Sequence, residues 1–402
     1  VQDSLTSDDV LLEYSSSEKG LMLWIITKED IRHRLIELEK STLEALENYL
    51  KTLREPLIGL QEISKHVTLG KELYRVLLGQ VENFFGRKNR LIIVPEGLLY
   101  YLPFEALIET SSEEGTKKYS TLADVPYLIR RFQISYVPSA SVLVAQKNEP
   151  VRQQPGRLPL LAFGDPVYRE GRVSQLSEND PRKIINVALR SFDLKRLEFS
   201  GEEVRHIARI WGVSATSEHV NLGERATVER VREMDLSRYR IIHFATHAVA
   251  GDQVGWANQP ALLLSQQSGK AEVTTLLQFS DILELKLNAD LVVLSACETG
   301  LGKLRYGEGI VGLTRAFLYA GAASSVVSLW KVEDQSTSLL MERFYQNLKQ
   351  GLSKAEALRQ AKLDIMRSAV DLKATGMRQD LAAPFYWAPF ILVGDWGPIR
   401  AN

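Results

Sequence analysis

Two residues of this chain have the types and spacing for nucleophilic acyl transfer. The one cysteine, Cys297, lies in Ser295-Ala296-Cys297-Glu298-Thr299-Gly300, directly after the apolar run Leu291-Val292-Val293-Leu294. Upstream by 50 residues (247 to 297), His247 closes His243-Phe244-Ala245-Thr246-His247, which follows Ile241-Ile242. Each polar residue therefore stands at the end of an apolar run that reads as a buried strand, where open α/β sheets build their sites. A thiolate attacks an amide carbonyl. A nearby imidazole stabilises that thiolate and then protonates the leaving amine. The developing oxyanion needs fixed donors, and the backbone N–H groups of Cys297 and Ala248 are the candidates. Gly300, Gly302, Gly307 and Gly309 make the segment after Cys297 adaptable enough for a peptide backbone to approach.

Other chemistries are excluded by what stands beside these residues. The pair His243 and His247 has the spacing of a zinc protease, but Phe244 occupies the place where that motif needs Glu. One cysteine and six histidines make no structural zinc pattern. Gly302-Lys303 lacks both the spacing and the following Ser/Thr of a phosphate loop. No Gly-x-Ser-x-Gly elbow is present, which counts against a serine hydrolase. No metal or cofactor is expected. His243, inside its strand, reads as a satisfied core residue. His33, His66, His206 and His219 read as surface or packing residues.

The elements that must position Cys297 and His247 alternate strand and helix. In the first half, Leu11–Tyr14 and Leu21–Ile26 read as strands around a polar turn, Ser15 to Gly20. Helical regions are expected from Arg34 to Leu57 and from Gly70 to Phe85. Leu91–Pro95 and Gln133–Pro138 read as short buried strands ending at proline. Glu109 to Tyr119 reads as a loop, Asn148 to Pro159 as a linker, and Tyr168 to Phe199 as a long exposed excursion.

In the second half, strands are expected at Leu158–Phe163, Tyr239–Thr246, Ala261–Leu264, Ala289–Ala296, Ser324–Trp330 and Phe390–Val393. Helices are expected at Glu202–Trp211, Thr227–Met234, Gln278–Leu285 (capped by Ser280 or Asp281) and Ile310–Ala320, the last closed by Gly321. Two amphipathic helices follow, with Leu340, Phe344 and Leu348 on one face of the first and Ala355, Leu358, Ala361 and Ile365 on one face of the second. Strands separated by helical crossovers give a mostly parallel sheet covered on both faces, hence an α/β fold.

The 402 residues suffice for two halves, 1–150 and 151–402. An apolar fraction of 45% fills a core, and 25% charged residues is ordinary for a soluble globular chain. A net charge of −1 points to neither nucleic acid nor an anionic membrane. No apolar run has the length of a membrane span. The start, Val1-Gln2-Asp3-Ser4, is not a signal peptide and lacks Met, so an excised or processed chain with a missing upstream region is expected. One cysteine fits a reducing, cytoplasmic setting.

Beyond the Cys and His segments, further motifs recur in order along the chain. They are Val94-Pro95-Glu96-Gly97 with Leu102-Pro103-Phe104, Val137-Pro138-Ser139, Phe163-Gly164-Asp165-Pro166, Ala316 to Ala322, Ser328-Leu329-Trp330 with Asp334, and Trp387-Ala388-Pro389-Phe390. Together these resemble a CHAT domain, the caspase-like peptidase module often found with TPR repeats, over nearly the whole chain. The resemblance implies a caspase- or separase-like fold with an N-terminal pseudo-caspase half and a C-terminal active half. It assigns the dyad to His247 and Cys297. It also implies a cytosolic protease that cuts a chosen protein partner, gated by an upstream repeat region or regulatory protein, in defence or developmental signalling.

Two positions depart from the caspase pattern: Ala248 stands where Gly follows the histidine, and Ser295 stands where Gln begins the cysteine segment. Aspartate specificity is therefore not carried over. In this fold the primary pocket is lined from the nucleophile strand and the next one, which points to Ser295 and to Ser328 through Asp334. Glu298 or Asp334 can pair a basic side chain, or Trp330 can wall an apolar pocket. Asp334 can equally cap the helix starting near Gln335. The expected function is a cysteine endopeptidase, and the rival is a catalytically silent caspase-like scaffold that signals by binding.

Overall fold

The computed structural model describes residues 1–57, 59–110, 119, 121–148, 156–168, 196–197, 199–249, 259–266, 275–295, 297–298, 309–331, 333–371 and 378–400. The expected loop at 109–119, the linker at 148–159 and the excursion at 168–199 lie largely outside these residues, as do Gly300, Gly302 and Gly307. The chain forms two compact units, residues 1–151 with 350–398, and 152–349 with 399–402. Residues 350–398, which the sequence order placed in the second half, thus belong to the first unit.

The first unit is built on strands β1 (Asp9–Ser17), β2 (Gly20–Ile26), β3 (Ile31–Glu37), β4 (Arg90–Val94) and β5 (Gln133–Tyr136), with helices α1 (Lys40–Leu53), α2 (Leu60–Leu77) and α3 (Ala140–Asn148). β1, β2 and β3 run antiparallel as a meander, while β1, β4 and β5 are parallel. The expected helix from Arg34 begins only at Lys40. Arg34 to Glu37 are strand because Leu23↔Arg34 and Leu21↔Ile36 pair across β2 and β3. The second expected helix starts ten residues earlier than read (Leu60 instead of Gly70) and gives way to a 3₁₀ turn at Gly79–Phe84.

A buried histidine fastens α1 and α2 to the core. His66 meets Thr52 Oγ1 at 2.9 Å through Nδ1 and the Tyr127 hydroxyl at 3.2 Å through Nε2, and it stacks on Tyr49. Burial lowers its pKa from 6.5 to about 3. The unfolded chain therefore binds a proton that the folded chain refuses, so stability falls as pH drops from 6.5 toward 3. At pH 5 the expected loss is about 2 kcal/mol relative to pH 7. Urea denaturation of the wild type and His66→Gln at both pH values checks this, because the variant should lack that part of the loss.

The second unit contains β6 (Leu158–Gly164), β7 (Val220–Leu222), β8 (Tyr239–Ala245), β9 (His247–Val249), β10 (Ala261–Leu263), β11 (Leu276–Gln278), β12 (Leu291–Leu294), β13 (Cys297–Glu298) and β14 (Ser324–Ser328). Its helices are α4 (Ser200–Ile210), α5 (Val228–Glu233), α6 (Phe279–Leu283), α7 (Gly309–Tyr319) and α8 (Asp334–Lys349). Five strands form an all-parallel sheet in the order β14-β12-β8-β6-β7. β12 and β14 are buried at every position, as parallel strands covered on both faces must be. A second sheet, β11-β10-β9-β13, lies beyond their C-terminal ends.

Two turns define how helices join this sheet. Gly321, at φ +110 after α7, places an ideal Cβ 2.4 Å from the Leu287 carbonyl oxygen, so only glycine fits that C-cap. α6 carries a capping box in which Gln278 is the N-cap and Asp281 is its third residue, not the cap itself. At the opposite end of the sheet from β9 and β13, the buried Asp290 accepts from Arg157, at 3.2 Å for Nη2 to Oδ2.

The last stretch returns to the first unit as α9 (Lys354–Ile365), the antiparallel pair β15 (Ala369–Asp371) and β16 (Arg378–Asp380), α10 (Pro384–Trp387) and β17 (Phe390–Gly394). β17 pairs in parallel with β5 through Val393↔Tyr136. The fold is α/β with mostly parallel strands flanked by helices. Among the described residues no helix is long and apolar enough to cross a membrane.

Candidate active site

The register of the strands accounts for the 50-residue spacing. In the large sheet of the second unit, Leu291↔Ile241, Val292↔Ile242, Val293↔His243 and Leu294↔Phe244 are partners. Beyond it, Cys297↔His247 and Glu298↔Ala248 are partners in the parallel pair β13 and β9. Every one of these pairs differs by 50 in sequence number. Both strands therefore leave the large sheet in step and pair again without losing register. Neighbouring strands lie about 4.8 Å apart, so the backbones of Cys297 and His247 stand directly beside one another. They do so at the C-terminal ends of two inner parallel strands.

His247 opens β9, and it is only 2% exposed. On its other side β9 pairs antiparallel with β10, through Leu263↔His247 and Leu262↔Ala248. Ala248 is buried in extended backbone, so alanine meets no steric penalty there. Tyr168 is the neighbour that sequence reasoning missed. Its ring centroid lies 5.6 Å from that of His247. The sequence placed Tyr168 at the start of an exposed stretch, and no periodicity signalled otherwise.

His243 is the satisfied core residue its position suggested. Nδ1 lies 2.9 Å from the Tyr345 hydroxyl and Nε2 lies 2.8 Å from Glu203 Oε1, all buried. With both nitrogens engaged it ties β8 to α4 and α8 and is unavailable to a metal. No group of three or more His, Cys, Asp or Glu suited to a metal occurs among the described residues. Of the other histidines, His219 meets the Tyr239 hydroxyl at 2.9 Å, His206 lies 3.5 Å from Glu342, and His33 packs on Trp24.

The pocket candidates divide by strand. Ser295 leads from β12 toward β13. It is buried, and its hydroxyl has no hydrogen-bond partner among the described residues. The backbone of Glu298 stands opposite Ala248. Trp330, two residues past β14, is buried, and its carbonyl accepts from Ser328 Oγ at 2.7 Å. Asp334 does not cap its helix. That role falls to Glu333, whose two carboxylate oxygens accept from the N–H groups of Gln335 at 3.0 Å and Ser336 at 2.7 Å. Asp334 Oδ2 accepts instead from the Phe199 N–H at 2.7 Å, joining α8 to the start of α4.

The chain is similar to several known proteins. The CHAT domain family model matches residues 67–395. Human Tetratricopeptide repeat protein 28 is 26% identical over 366 residues, and its mouse counterpart is 25% identical over 360. Each alignment covers 81% of this chain but only 13% of the relative, so the chain spans a small part of those proteins' length. Among solved structures, the Saccharomyces cerevisiae separase–securin complex matches with a TM-score of 0.49 and 10% identity, covering 98% of this chain and 30% of that one. The Arg-specific cysteine proteinase gingipain R matches with a TM-score of 0.39 and 10% identity, over 90% of this chain and 76% of that one.

Proposed function

The chain belongs to the CHAT domain family, and on that premise we propose that it is a cysteine endopeptidase acting on a protein partner. The observation that carries this reading is the register Cys297↔His247 at the C-terminal ends of β12 and β8. In the proposed reaction the Cys297 thiolate adds to the scissile carbonyl. The backbone N–H groups of Cys297 and Ala248 hold the oxyanion, and His247 gives a proton to the departing amine. A water deprotonated by His247 then releases the acyl group and restores the thiol. Neither metal nor cofactor enters this scheme.

Ser295, Glu298, Trp330 and Asp334 are the proposed lining of the substrate pocket. A buried hydroxyl at Ser295 with no partner among the described residues suits a polar group of the substrate. The tetratricopeptide repeats in the name of the human and mouse relatives support a repeat region or regulatory protein as partner. A single cysteine suits the proposed cytoplasmic setting. The 2% exposure of His247 favours the second reading, a catalytically silent scaffold.

An electrophilic peptide probe separates the two. Because the chain has one cysteine, the labelled fraction reads Cys297 directly. His247→Ala is expected to slow labelling by about tenfold to a hundredfold. Equal labelling of wild type and variant would favour the scaffold.

A further inference from the structure

The motif Phe163-Gly164-Asp165-Pro166 has no part in the chemistry above, yet its geometry leads to His247. β6 ends at Gly164, where an added Cβ would stand 2.8 Å from Val204 Cγ2, so glycine lets α4 pack closely there. Asp165 follows with φ 51, the one non-glycine residue at positive φ among the described residues. A left-handed aspartate is strained and persists only where its surroundings hold it. Here its N–H donates to Ser200 Oγ at 3.0 Å, and its carboxylate takes Arg196 Nε at 2.7 Å and Nη2 at 2.8 Å.

That turn carries the chain to β10. The Val167 N–H donates to Ser265 Oγ at 2.9 Å, and its carbonyl accepts from the Gln266 N–H at 3.2 Å. The next residue is Tyr168. Its hydroxyl donates to the Leu263 carbonyl at 3.2 Å, and Leu263 is the residue paired with His247. The Tyr168 ring lies against the imidazole, centroids 5.6 Å apart and planes at 41°. Desolvation drives the phenol's pKa up, with the His247 backbone a smaller opposing effect, so the hydroxyl keeps its proton and its bond to Leu263.

We propose that Tyr168 is the positioning residue of His247, delivered by the strained turn at Asp165. Its hydroxyl anchors it to β10 at Leu263, the residue paired with His247, and its ring limits rotation of the imidazole. The proposal rests on His247 as the general acid/base of Cys297. An imidazole free to turn would spend less time oriented toward the thiol.

Two readouts on the full chain test this. Iodoacetamide alkylation of Cys297 across pH reports the thiolate, and NMR of the His247 imidazole, assigned with His247→Gln, reports ring placement. Tyr168→Ala is expected to slow alkylation at pH 7 about tenfold and to move the profile up by about one pH unit, toward an ordinary thiol. The His247 resonance and its titration should shift in the same variant. Tyr168→Phe, which keeps the ring, should show the smaller change in both. Tyr168→Leu replaces the alanine variant should that one not fold. An imidazole resonance and titration unchanged from wild type to Tyr168→Ala would overturn the proposal. If the imidazole signal moves while His247→Gln leaves the alkylation profile untouched, Tyr168 does position His247 and the Cys297–His247 pairing is what fails.

Discussion

Cys297→Ala is expected to abolish cleavage, by at least about a thousandfold, while the chain keeps its fold. β13 comprises two residues whose place is set by backbone pairing with β9, and alanine can keep that pairing. Loss of activity with unchanged circular dichroism and urea midpoint would therefore reflect the sulfur alone. Groups that act as a unit are not additive, so His247→Ala should cost a similar factor and the double variant little more. Turnover of a peptide-library substrate found with the wild type measures this, in the presence of any activating partner. Full residual cleavage by Cys297→Ala would end the peptidase assignment.

The second large effect is one of stability, in the first unit. Glu105 and Lys362 form an ion pair at 2.8 Å, with 3% and 1% of their side chains exposed. The Tyr136 hydroxyl donates to the other carboxylate oxygen of Glu105 at 2.6 Å and accepts from the Phe104 N–H at 2.8 Å. Burial pulls the pKa of Lys362 down, and Glu105 acts in the opposite direction. Glu105→Ala would leave a buried ammonium without its counter-charge, and the expected loss is about 3–5 kcal/mol. The double variant Glu105→Leu/Lys362→Met should recover most of it, because an apolar pair of similar volume carries no desolvation penalty. Urea denaturation of the single and double variants measures both. A loss below about 1 kcal/mol for Glu105→Ala would show that the pair does not fasten α9 to the first unit.

What was legible in the sequence is what depends on neighbours along the chain. β4, β6, β8 and β12 announce themselves by short apolar runs because parallel strands buried on both faces need no alternation. The helix at Leu340, Phe344 and Leu348 is legible for the same local reason, a repeated buried face. β3 was not legible, because six of its seven residues are exposed and no inward-facing alternation marks it as strand. Glu333 and Asp334 show the limit at a single residue. Both are acidic and adjacent, and only the Phe199 N–H, 135 residues away, decides which one caps.

At the candidate site, the residue types and their 50-residue separation were readable. That this separation is a strand register was not, since β9 and β13 are too short to carry a pattern. Tyr168 escaped because its partners, Leu263 and His247, lie 95 and 79 residues on (263 and 247 less 168) and reach it only after the turn at Asp165.

The return of residues 350–398 to the first unit bears on how the chain is made. During synthesis from the N-terminus, residues 152–349, all of the second unit but 399–402, emerge as one continuous stretch that carries every described strand and helix of that unit. The first unit does not. Its β5 lacks the partner on one edge, and Glu105 lacks its counter-charge, until α9 and β17 have left the ribosome. The first unit thus waits for a longer late segment than the second does, and an exposed strand edge of this kind is a standing invitation to mispairing while it waits.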